Sequence, residues 1–157
     1  MTGEEDLGRL LAGMRPRLRE GRHVFATVTG ERPALRPVVT VIEDEGTTLV
    51  LRADDAAAAG LDGAFPCAWI TLEVVSSLAA VGFLAAVTTA LAGAGIGVNP
   101  VAGFHHDHLF VPWEQRDRAL EVLQELSAPP PAPPTGPPPA SPPTPRPSSS
   151  STGRLAD

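Results

Sequence analysis

The sequence predicts an α+β fold: an antiparallel sheet with helices packed on one face. Short β-rich runs such as Val38 to Glu43 and Thr47 to Arg52 lie between Gly and acidic turn residues. They alternate with stretches whose apolar residues recur at helical spacing, as in Leu7, Leu10, Leu11 and Met14. The joining segments are only a few residues long, which favours hairpins and one packed layer of helices.

The first helix is expected from about Leu7 to Met14, with Asp6 as its cap and Pro16 discouraging its continuation. His23 to Thr29 is β-rich and bounded by Gly21 and Gly30, which predicts a strand. Val38 to Glu43 and Thr47 to Arg52 flank Asp44-Glu45-Gly46, a short hairpin signal. Asp54 is expected to cap a brief Ala-rich helix that Gly60 stops.

In the second half, Ala68 to Val74 reads as a strand, with Trp69, Thr71 and Glu73 on the face opposite its aliphatic members. Gly82 should open a helix with Leu84, Val87 and Leu91 as its buried stripe, and Gly93 and Gly95 should end it. Val98 to Ala102 contains Pro100 and so reads as an edge or bulged strand. His108 to Val111 is a further strand, and Glu114 to Leu126 a last helix that turns Leu120, Val122 and Leu123 inward. The order is α-β-β-β-α followed by β-α-β-β-α.

From Ala128 onward the chain is rich in Pro and Ser and offers little apolar surface to repay its ordering. The expected organisation is an N-terminal half over 1–62, a C-terminal half over 63–127 and a disordered Pro/Ser-rich tail over 128–157.

The net charge of −6 argues against nucleic acid as a partner, because phosphate binding needs a basic stripe. Val74 to Phe104 holds no charged residue, yet Gly93, Gly95, Gly97 and Asn99-Pro100 interrupt it. A helix plus a buried strand is expected there rather than a membrane span. Met1 leads into Thr-Gly-Glu-Glu-Asp without the apolar stretch of a signal peptide, so the expected compartment is the cytoplasm. Cys67, the one cysteine, lies in an apolar run and reads as a buried structural thiol.

His105, His106, Asp107 and His108 offer imidazoles and a carboxylate within four residues, but a zinc site needs ligands converging from separate elements, and the only other histidine is His23. A polar turn is the expectation, with His106 also a candidate for lining a ligand. No cofactor is expected. Neither a phosphate loop nor a nucleophile elbow is present, so the reading is non-catalytic.

Gly82-Phe83-Leu84-Ala85-Ala86-Val87-Thr88-Thr89-Ala90-Leu91, then Ala94-Gly95-Ile96-Gly97-Val98 and Arg118-Ala119-Leu120-Glu121-Val122-Leu123, resembles an ACT domain. Ala68-Trp69-Ile70-Thr71-Leu72 and Asn99 to Val111 are similar to segments of small stand-alone bacterial proteins with two ACT-like halves. The tandem ACT-like regions of eukaryotic arginine sensors are also similar.

The resemblance implies ferredoxin-like βαββα units and a regulatory, amino-acid-binding role. It places the effector at the loop entering the Gly82 helix: Val81, Gly82 and Phe83, with Ser76, Ser77 and Asn99 as polar candidates. Free amides and the positive end of a helix dipole suit a carboxylate there. The family often carries Asp or Asn and then Pro before this glycine, where this chain has Ala80 and Val81. The usual handle for an amino group is therefore missing. The implied partners are a small-molecule ligand, a second copy in a homo-oligomer, and an enzyme of amino-acid metabolism such as an amino-acid kinase. A ligand-free protein-interaction module and an orphan regulatory subunit are the alternatives.

Overall fold

The computed structural model describes residues 3–30 and 34–128; the Pro/Ser-rich stretch from 129 lies outside the described residues. The elements run α1 (Leu7–Gly13), β1 (Pro16–Val28), β2 (Val39–Glu43), β3 (Gly46–Arg52), α2 (Ala53–Ala58) and β4 (Ala64–Leu72). They continue with α3 (Phe83–Gly93), β5 (Asn99–Ala102), β6 (Asp107–Pro112), a 3-10 turn (Trp113–Gln115) and α4 (Arg116–Ser127). This is the α+β order the sequence predicts.

Among the described residues the six strands join one sheet in the order β2-β3-β1-β4-β6-β5, with every named neighbouring pair antiparallel. The two halves therefore share a seam where β1 meets β4. Strand alternation turns Ala68, Ile70, Leu72, Leu109 and Val111 to one face, where α1, α3 and α4 bury Leu10, Met14, Phe83, Val87, Leu91 and Leu123 against them. Val24, Ala26, Val28, Leu49 and Leu51 continue that face under α2. The opposite face carries Val50, Cys67 and Phe110 beneath Phe25, Phe65 and Trp69.

β1 starts at Pro16 rather than at His23. Proline is accepted at the first position of a strand. The chain passes Gly21, at φ +85°, through a register shift between Leu18 and Arg22. The expected break is a bulge inside one long strand. A side chain at Gly21 would meet the Arg52 guanidinium, with a Cβ only 2.4 Å from its Nη1.

Smaller corrections have similar causes. The residue before α2 is Arg52, which makes no capping bond, and Asp54 sits inside the first turn. In α3 it is Phe83, with Val87 and Leu91, that is fully inside, while Leu84 is half-buried. In α4, Ala119 joins Val122 and Leu123 inside, and Leu120 is half-buried. The uncharged run from Val74 to Phe104 resolves into α3 and the edge strand β5. Among the described residues no helix is long and apolar enough to cross a membrane.

Candidate functional site

The loop between β4 and α3 ends at Gly82, whose φ of +90° is open to glycine and costly for a branched side chain. Gly82 precedes α3 without any side-chain cap. The first bond of that helix runs from the Ala86 amide to the Gly82 carbonyl at 2.9 Å. The amides of Phe83, Leu84 and Ala85 therefore have no intrahelical partner. Phe83, Leu84 and Ala85 line a cavity of about 140 Å³.

Three groups of residues line it. Gly82, Phe83, Leu84 and Ala85 supply the helix end, Leu78, Ala80 and Ala102 an apolar wall, and Ser76, Ser77 and Asp107 the polar groups. Asp107 is 6% exposed, and its Oδ2 accepts the Ser76 hydroxyl at 3.1 Å. Burial pushes its carboxyl above the usual value, and the Ser76 bond and the nearby His108 and His106 pull it partly back. Among the described residues lining the cavity it is the only charged one.

Of the residues the sequence points to, Ser76, Ser77, Gly82 and Phe83 meet around this cavity. Val81 stands next to the helix entry with 85% of its surface exposed and lies outside the lining. Asn99 also lies outside it: in register with Phe110 on the edge strand, it belongs to the opposite face of the sheet. His106 lines nothing here; its Nδ1 lies 3.2 Å from the Val74 carbonyl and ties the β5–β6 turn to the start of the loop. In sequence Asp107 reads only as part of the polar turn at His105 to His108, and not as a ligand-binding residue. A β6 residue reaches the cavity only because Leu72↔Asp107 register sets it beside the end of β4.

His108 is engaged elsewhere. Its Nδ1 accepts the Trp69 indole N–H at 3.1 Å and lies 3.2 Å from the Thr71 hydroxyl, which in turn accepts Arg19 Nε at 2.9 Å. His106 and His108 thus serve different partners, and among the described residues no three His, Cys, Asp or Glu side chains gather to hold a metal.

A layer of helices on an antiparallel sheet is the ferredoxin-like fold of ACT domains. One ACT-domain family model matches residues 2–68 and a second ACT-domain model matches residues 64–125. The chain belongs to the ACT-domain family. No curated protein matches it.

Among solved structures, a protein of unknown function, possible transport protein, from Vibrio cholerae is similar at 44% identity. That match covers 78% of this chain and 96% of the other, with a TM-score of 0.71. A protein from Agobacterium tumefaciens is similar in fold at 20% identity, covering 73% of this chain and 89% of that one, with a TM-score of 0.60. The ligand-free regulatory subunit of aspartate kinase from Thermus thermophilus shares the fold at 12% identity, 71% and 95% coverage and a TM-score of 0.54.

Proposed function

We propose that this chain is a non-catalytic regulatory protein that binds a small aliphatic amino acid in the cavity at the start of α3. One observation carries the reading: the uncapped start of a helix and a buried carboxylate, Asp107, border the same small cavity. The amides favour the ligand carboxylate and Asp107 favours its ammonium group. Asp107 thereby replaces the amino-group handle that Ala80 and Val81 cannot provide. Leu78, Ala80 and Ala102 favour an alkyl side chain, and the lining holds no second charge to pair with a basic or acidic one.

A soluble cytoplasmic protein that pairs with a second copy through the sheet edges β2 or β5 fits this role. The shared fold with an aspartate kinase regulatory subunit supports an enzyme of amino-acid metabolism as the regulated partner.

The test is thermal unfolding with glycine, L-alanine, L-valine and L-leucine, with L-lysine and L-aspartate as charged controls. A ligand at a hundred times its Kd should add about 2.7 kcal/mol to folding stability. A rise in Tm with the alkyl amino acids alone is expected. If none shifts the melt at millimolar concentration, the ligand-free interaction module becomes the better reading.

A further inference from the structure

The loop that lines the cavity has a second side, and the segment from Gly3 to Asp6 is bound to it. Glu4 pairs with Ser76 as a parallel bridge. The Glu4 amide donates to the Val75 carbonyl at 3.0 Å, and the Ser77 amide donates to the Glu4 carbonyl at 2.9 Å. The Ser77 hydroxyl donates to Glu5 Oε1 at 3.2 Å. Gly3 lies so close that a Cβ there would stand 2.4 Å from the Ser77 nitrogen and 2.6 Å from the Ser76 carbonyl oxygen. The two neighbouring hydroxyls therefore face different ways: Ser76 binds Asp107 in the cavity, and Ser77 binds the N-terminal segment.

We propose that Gly3 to Asp6 is a strap whose docking sets the affinity of the cavity, and that ligand binding in turn tightens the strap. The proposal rests on the amino-acid reading of the cavity. Among the described residues the other backbone bonds donated from 74–80 are local, from Val74 to Leu72, from Ser76 to Val74 and from Ala80 to Ser77. The strap supplies the long-range backbone bonds that hold 75–77. A loop ordered in advance loses less freedom when a ligand binds, and the coupling must then run equally in both directions. The strap also borders a larger cavity of about 410 Å³ with Val75, Leu78 and Phe104, so its release gives the loop space to shift outward.

Two full-length variants test this. Gly3→Val drives a branched side chain into the Ser76–Ser77 backbone and leaves the Asp6 cap in place. Glu5→Ala removes only the acceptor for Ser77. Hydrogen exchange without ligand should become faster at 3–6 and 75–78 in Gly3→Val and less so in Glu5→Ala. Calorimetry with L-leucine should show Kd weakened by about tenfold in Gly3→Val. Saturating L-leucine should slow exchange at 3–6 in the unmodified protein.

Unchanged exchange in Gly3→Val overturns the strap. Faster exchange with unchanged Kd overturns the coupling. If the unmodified protein binds none of the alkyl amino acids, the amino-acid reading falls and the proposal falls with it. That result is distinct from a coupling failure, in which both proteins bind equally well.

Discussion

The Trp69 indole N–H donates to Nδ1 of His108 at 3.1 Å, which fixes that ring nitrogen as an acceptor. His108 is therefore neutral, with its proton on Nε2. Burial lowers its pKa, Arg19 and His106 add to the effect, and Asp107 opposes it. His23, set edge-on to Trp69 at 5.6 Å, is also shifted down, chiefly by burial. Below about pH 6.5 the unfolded chain binds protons that these two folded-state histidines resist. Stability is thus intact above that value and falls as the pH drops through the folded-state pKa. Urea midpoints measured from pH 7.5 to 5 should decrease, and His108→Asn should flatten the slope.

Asp107→Asn separates stability from binding. Burial makes the ionised carboxyl costly, so its folded pKa is raised and its stabilising contribution is lost as pH rises through that pKa. Asparagine keeps the shape and can still accept the Ser76 hydroxyl. At pH 7 the variant's Tm should equal or exceed that of the unmodified protein, while its response to L-leucine disappears. An undiminished response would place the ammonium elsewhere.

Gly82 tests the other end of the ligand. A non-glycine residue at φ +90° should cost about 1–2 kcal/mol. Asparagine, which tolerates left-handed backbone better, should cost less than alanine. Gly82→Asn and Gly82→Asp share a shape and differ in charge. Both should melt lower, by about 3–8 °C, but only the aspartate should abolish binding by meeting the ligand carboxylate.

Cys67 is fully buried, its thiol is pushed up to about 12, and it donates to the His23 carbonyl at 3.4 Å. A maleimide should leave it unlabelled in the native protein and label it at the rate of unfolding. Fast native labelling would mean that the seam between β1 and β4 opens readily.

What was legible in the sequence was local. The hairpin around Asp44 and Glu45, the two faces of β4 and the helix opening at Gly82 each follow from spacing within a few residues. What stayed hidden depended on distant partners. Pro16 to Arg22 reads as a strand only once β4 lies beside it to absorb the bulge at Gly21. Asp107 enters the cavity because of its register with Leu72, and Asn99 leaves it because of its register with Phe110. Gly3 and Glu4 show no periodicity, so their attachment to Ser76 and Ser77 left no trace in the pattern.

Leu10 and Met14, near the start of the chain, are buried with Phe83, Val87, Leu91 and Leu123. On the ribosome, α1 emerges before α3 and α4, the helices that cover it. At usual synthesis rates of about 5–20 residues per second, its apolar stripe waits on the order of ten seconds for a partner. Nascent chains that stop short of α4 carry that stripe only partly covered, as a target for chaperones and for other unfinished copies.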